Sequence, residues 1–328
     1  MRPLSVLRWH YCVNEPGKNG GGAESGLRDE ARGLREAGHE VAWLWSGQIE
    51  RAVAEFKPDV VHIGTIHCAM GPEVAERAFA LGVPTIWHLH DYWPFCQPRM
   101  LLVNEDQSCP AVEGVCTGCQ PQDPRWLELV NRCAGVVVGN RYSAEIMRRN
   151  GVHVTHVVES GIDTEAFRPS GEPLPDTVCA MNAWGVRGGV KGLDVARRAV
   201  TGEPWQISLI TGLARESVPE VLRRFGIFIN TSQYQETFCL AVTEAMASGL
   251  AVVVSDVAGP KAQVVDGETG LLYPRGDAIA LRECVRRLRT DGSLRERLGR
   301  AARAHVAEDH TLAAMAARWV AVYEEVTG

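Results

Sequence analysis

Lysine is scarce in this chain. Of its 34 Lys and Arg residues only Lys18, Lys57, Lys191 and Lys261 are lysines, so each stands where arginine is the habit of the sequence. No apolar run approaches the roughly eighteen residues that mark a bilayer span. The N-terminus also lacks the outline of a signal peptide: Arg8 and His10 interrupt its apolar stretch, and no small-residue cleavage site follows. A cytoplasmic location is the expectation. An excess of basic charge is missing as well. With 34 basic against 40 acidic residues the net charge is −6, which argues against a protein built around nucleic-acid binding.

What the chain has is length and apolar content. Its 328 residues, 45% of them hydrophobic, suit two domains of ordinary size. Short apolar stretches alternate with helical periodicity throughout. In the first half, strands are expected at residues 4–12, 41–45, 59–63, 84–89, 135–138 and 152–158. Helices are expected at 23–37, 48–57, 71–81, 125–133 and 142–149. Residues 159–175 carry Gly161, Pro169, Gly171, Pro173 and Pro175, the punctuation of a domain boundary. A second series follows, with strands at 177–183, 206–211, 226–230, 251–255 and 271–273. Its helices fall at 191–200, 216–224, 240–247 and 277–289, before a helical tail at 294–326. Such alternation implies parallel, doubly wound sheets. The fold expected is α/β, two Rossmann-like domains facing each other across a cleft.

In open α/β sheets, ligands bind beyond the carboxyl ends of the strands. Two loops there carry chemistry. The first, Asn19-Gly20-Gly21-Gly22-Ala23-Glu24, joins the first strand to the first helix. Its glycines admit a close ligand, and the helix N-terminus favours an anion; it reads equally as a tight turn. The second runs from Ser232 to Gly249 and holds Glu236 and Glu244, eight residues apart, in a loop and the helix after it. Taken alone, the pair reads as a capping residue and a solvated helix face; Glu244 could also accept hydrogen bonds from ribose hydroxyls and Glu236 those of a second sugar. Backbone amides of Phe238, Cys239 and Leu240 would meet the phosphates between them.

The stretch from Glu236 to Gly249 resembles the Glu-x7-Glu signature of glycosyltransferase family 4, a mostly retaining family of the GT-B fold. Glu236, Phe238, Leu240, Glu244 and Ala245-Met246-Ala247 fit, while Thr237 and Cys239 replace two glycines. Gly21-Gly22-Ala23-Glu24, His90-Asp91, the segment from Gly161 to Pro169, Lys191-Gly192 and the segment from Asp266 to Leu272 match in order. The resemblance implies that Glu236 contacts the donor sugar and Glu244 the ribose. It implies that Lys191, with Arg187, balances a departing diphosphate, a task suited to fixed positive charge, and that His90 touches a sugar near the anomeric carbon. Gly21, Gly22, Thr237, Phe238, Cys239 and Leu240 complete the implied donor site. His88, two residues before His90, shares its face and reads as a core histidine. No metal is implied for catalysis.

The implied activity is transfer of a hexose from a nucleotide-diphosphate sugar, a UDP- or GDP-sugar, to a hydroxyl acceptor. The alternatives are a nucleotide-sugar epimerase and a non-catalytic nucleotide-sugar-binding protein. A lipid acceptor would add peripheral membrane contact. The implied domains are residues 1–165 on the acceptor side and 166–328 on the donor side, the last helix crossing back. Gln263 is the nearest polar residue to a glutamate that many relatives carry, and only a dozen residues separate Gly212 from Phe225, where relatives have more. A cysteine-rich insert spans 92–123. Its Cys96, Cys109, Cys116 and Cys119 follow C-x12-C-x6-C-x2-C spacing, which suggests structural zinc; free thiols or a redox disulfide remain open. Eight arginines between Arg282 and Arg303 read as a solvated helix face or as a dock for an anionic acceptor.

Overall fold

The computed structural model describes residues 2–9, 22–45, 48–64, 71–96, 100–101, 109–114, 123–181 and 189–328. They form two compact units. The first draws on Met1–Leu101, Cys109–Ser160 and Leu312–Gly328, the second on Gly161–Thr311. The division falls a few residues before the expected 165/166 boundary, because Asp163 caps the turn carrying Glu165 and Ala166 and Phe167 belongs to the second core.

The first unit contains β1 (Ser5–Trp9), α1 (Gly22–Glu36), β2 (Glu40–Leu44), α2 (Ile49–Phe56), β3 (Val60–Ile63), α3 (Pro72–Ala80) and β4 (Thr85–Leu89). It continues with α4 (Arg125–Asn131), β5 (Gly135–Val138), α5 (Arg141–Arg149) and β6 (His156–Val157). Its sheet is parallel, ordered β2-β1-β3-β4-β5-β6. Strands β3, β4 and β5 are buried along their whole length, as a sheet covered on both faces requires. The strand expected at 152–158 shrinks to two residues because it lies at the edge, with one neighbour to pair with.

The second unit contains β7 (Val178–Met181), α6 (Leu193–Val200), β8 (Ile207–Ile210), α7 (Val218–Leu222), β9 (Ile227–Asn230), α8 (Leu240–Ala247) and β10 (Ala251–Ser255). Then come α9 (Ala258–Gln263), β11 (Leu271–Tyr273), α10 (Ala278–Thr290) and α11 (Gly292–Asp309). The order is β11-β10-β9-β7-β8, again parallel. Both sheets thus share the doubly wound order in which the strand order reverses between the first and third strands, and ligands favour that switch point. Two apolar clusters, centred on Val252 and Val254 and on Val253 and Leu281, cover the faces of this sheet.

Three helical expectations change. Lys191 and Gly192 lie in a turn ahead of α6, with Gly192 at φ 67°. The six-residue α9 was hidden in the sequence by Gly259 and Pro260, yet proline within a first helical turn sacrifices no helical hydrogen bond. The tail breaks in two: Thr311 bridges to Ile162, and α12 (Leu312–Thr327) packs Met315, Trp319 and Tyr323 into the core of the first unit.

Arginines that the sequence left as a surface face act as tethers. Arg282 donates to the carbonyls of Arg198, Ala199 and Thr201, Arg295 to that of Leu174, and Arg303 to those of Thr164, Phe167 and Ala247. Arg286 and Arg289 pair with Glu203 and Asp176. These contacts tie α10 and α11 to earlier segments.

Candidate functional site

The switch point of the second sheet lies between β7 and β9. Its two outgoing loops bring Lys191 and Glu236 together. Asn230 ends β9 and accepts from the Ser232 amide at 3.2 Å, and Thr231 donates to the Lys191 carbonyl at 2.7 Å. The Gln233 amide donates to the Val190 carbonyl at 2.9 Å. The two loops are therefore stitched by their backbones. A Cβ on Gly192 would sit 1.8 Å from the Thr231 carbonyl oxygen, so this close approach needs glycine for space as well as for its positive φ.

The Lys191 ammonium donates to Glu236 Oε1 at 3.0 Å and to the Tyr234 hydroxyl at 3.1 Å, and lies 4.9 Å from the Tyr234 ring centroid. Burial works against the charged lysine. The interactions led by the Glu236 carboxylate together outweigh it, so the ammonium is held above its ordinary pKa. Burial pushes the Tyr234 and Cys239 groups up as well, which keeps both neutral. The loop beneath is rigid. Gln235 accepts from the Ala258 amide at 2.8 Å where α9 begins, and Gly259 leaves room for the Glu236 carbonyl, 2.7 Å from where a Cβ would stand.

Thr237 and Phe238 are half-buried, Cys239 and Leu240 buried, as they lead into α8. No side chain among the described residues caps this end of α8, so its first amides face the loop, where an anion would find them. Gln263 donates to the Cys239 carbonyl at 3.1 Å and to the Thr243 hydroxyl at 2.6 Å; it braces α8. Glu244 projects from the second turn of α8. Its Oε1 takes the guanidinium of Arg215, which lies 4.9 Å from the Phe167 ring centroid. The Glu244 Oε2 atom is buried with no hydrogen-bond partner among the described residues. Tyr234 and Arg215 were not singled out by sequence reasoning. The only signals were a tyrosine two residues before Glu236 and an arginine three residues after Gly212.

In the first unit, His90 follows β4, half-buried, with its ring 4.0 Å from that of His88. His88 is buried, as expected of a core histidine. Beneath it Arg8 and Glu30 form a fully buried ion pair, with Glu30 Oε1 3.7 Å from His88 Nδ1. His62 Nδ1 and the Tyr323 hydroxyl share a hydrogen bond of 2.8 Å. Glu30, His62 and His88 offer ligand atoms within 4.8 Å of one another. The carboxylate already has Arg8 as its counterion, so the group reads as a buried polar network rather than a cation site. Gly22 opens α1. Cys96 is buried and Cys109 half-buried, and neither forms a disulfide among the described residues. Gly21, Arg187, Cys116 and Cys119 lie outside the described residues.

Two doubly wound parallel domains, with a lysine–carboxylate pair at the switch point of the second, define a GT-B protein. The fold is shared with sucrose-phosphate synthase from Thermosynechococcus elongatus (TM-score 0.76, 15% identity, 98% of each chain). It is shared also with Anabaena HepE in complex with UDP and glucose (TM-score 0.72, 16% identity, 97% of this chain and 98% of that one). The family models described as Glycosyltransferase Family 4 and Glycosyl transferases group 1 match residues 42–166 and 203–305. The chain belongs to glycosyltransferase family 4. Among curated relatives, a GDP-mannose-dependent alpha-mannosyltransferase of Mycobacterium tuberculosis is 25% identical over 69% of this chain and 63% of its own length. Sulfoquinovosyl transferase SQD2 of Arabidopsis thaliana is 26% identical over 79% of this chain and 55% of its own length. Both matches span less than two thirds of those relatives.

Proposed function

We propose that the chain is a retaining glycosyltransferase that moves a hexose from a nucleotide-diphosphate sugar to a hydroxyl acceptor. The observation that carries this reading is the Lys191–Glu236 pair at the switch point, with the buried Glu244 on the helix that follows. A donor entering there exchanges partners with the pair. Lys191 turns its ammonium to the diphosphate, the first amides of α8 support it, and Glu236 is released to accept from donor sugar hydroxyls. Glu244 accepts from the ribose. As the anomeric C–O bond breaks, charge grows on the departing phosphate oxygen, where a positioned cation is worth most. The acceptor hydroxyl attacks from the same face, passing its proton to the departing phosphate, and configuration is retained. His90 contacts the sugar near the anomeric carbon, and Arg187 adds charge beside Lys191.

A UDP- or GDP-sugar is the donor this reading favours, because HepE was solved with UDP and the mycobacterial relative is named for GDP-mannose. No described helix is long and apolar enough to cross a membrane; the reading places the enzyme in the cytoplasm, at the membrane surface if its acceptor is a lipid. Structural zinc on Cys96, Cys109, Cys116 and Cys119 is part of the proposal, and metal analysis of the purified protein tests it. The main test is a thermal-shift screen of UDP-, GDP-, ADP- and dTDP-sugars, because a ligand of the folded state raises the melting temperature. One or more should shift it, and Glu236→Ala should abolish transfer. A screen in which no nucleotide shifts the melting temperature, or a Glu236→Ala enzyme with full transfer, overturns the reading.

A further inference from the structure

We infer that Arg215 is a specificity-determining residue, which commits one oxygen of Glu244 so that the nucleotide's ribose is read through a single hydroxyl. The inference rests on the donor-site reading above and goes beyond it. The Glu244 side chain is 3% exposed. A carboxylate so deeply placed has two oxygens to satisfy, and here their surroundings differ. Oε1 accepts from the Arg215 guanidinium; Oε2 is buried without a hydrogen-bond partner among the described residues. A buried acceptor left unmet is costly. That cost disappears when a ligand hydroxyl donates to Oε2.

A cis-diol offers two donors, and a carboxylate with both oxygens available can take both. With Oε1 turned to the Arg215 guanidinium, Oε2 is the oxygen left to meet a ligand hydroxyl. Arg215 is well placed to hold its half. It sits on the 3-10 turn Arg215–Ser217, just after β8, and its guanidinium rests against Phe167, which is itself buried at 3% exposure. Arginine keeps its charge at any pH the protein survives. The segment from Gly161 to Pro169 thus bears on the donor site through Phe167, which backs the arginine that occupies the carboxylate.

The test uses the full chain with UDP and GDP, each in its ribo, 2′-deoxy and 3′-deoxy forms, read by isothermal titration. For whichever parent nucleotide binds, one deoxy form should bind within about 3-fold of it. The other should lose about tenfold or more, as expected when one hydrogen bond to a buried charge is removed. In Arg215→Ala both oxygens are free, and both deoxy forms should then lose affinity. Arg215→Met is the second variant if the alanine form folds poorly; it keeps an unbranched side chain beside Phe167 and removes the donor to Oε1, and its deoxy profile should move the same way. Equal losses for both deoxy forms in the wild type overturn the inference, as does the absence of any loss. An unchanged one-hydroxyl profile in both variants overturns it too. Failure of every parent nucleotide to bind would instead overturn the donor-site reading beneath it.

Discussion

The first sheet buries its carboxylate completely: in the Arg8–Glu30 pair both side chains are 1% exposed. In the second sheet the Glu236 carboxylate is buried and its cation is not, at 6% and 21% exposure for Glu236 and Lys191. This difference separates structure from function. A sealed pair is surrounded by fixed groups, here His88, His62, Trp319 and Tyr323, and has no route by which either ion meets a new partner. A pair whose cation reaches solvent can trade its carboxylate for an incoming anion without crossing a dry interior. Desolvation has been met on the carboxylate side in advance, and the mobile side is left wet.

Breaking the sealed pair should have the largest effect on stability. Glu30→Ala leaves the Arg8 guanidinium buried without its counterion and should cost about 3–5 kcal/mol in urea unfolding. A loss below about 1 kcal/mol would mean that water reaches Arg8. Lys191→Ala should do the reverse. Transfer should fall by about 10²–10³-fold, while the stability loss stays well under that of Glu30→Ala; equal stability losses would erase the contrast. Tyr234→Phe is subtler. It keeps the ring over Lys191 and removes one hydrogen bond, so donor affinity and turnover should each drop by roughly 2- to 10-fold, and unaltered kinetics would show the hydroxyl to be a bystander.

The smallest effect is one of pH. The folded-state pKa of Lys191 is raised, because the interactions led by Glu236 together outweigh the burial that opposes its charge. A raised lysine contributes stability that is present below its unfolded value, near ~10.4, and lost only as pH rises through the higher folded value. Stability and nucleotide affinity should therefore show no lysine step between about pH 7 and 10. A fall in affinity centred near pH 9 would mean that burial, not Glu236 and its neighbours, sets the Lys191 pKa.

What the sequence made legible follows from how local each signal is. Strands β10 and β11 and helix α8 match their expected limits, because continuous apolar runs and a flanking glycine mark them without reference to the rest of the fold. The break at His310 and Thr311 was invisible, since helical periodicity runs through it with neither glycine nor proline. Lys191, Glu236 and Glu244 were found through short local motifs that resemble those of the family. Their partners were not: Tyr234 meets Lys191 across 43 residues and Arg215 meets Glu244 across 29, and no local pattern encodes such pairs. The same is true of Arg8 with Glu30 and of His62 with Tyr323, joined across 261 residues.

That last separation has a consequence for synthesis. The ribosome, adding roughly 5–20 residues per second, makes β1–β6 first, yet Met315, Trp319 and Tyr323, which close the core over them, emerge after the whole of Gly161–Thr311. The younger unit can finish folding while the older one still shows a bare apolar face. A nascent chain arrested at Thr311 should protect the amides of β7–β11 from hydrogen exchange and leave those of β1–β6 poorly protected. The first sheet to be made is then the last to be sealed, and it is the one a chaperone would be expected to guard.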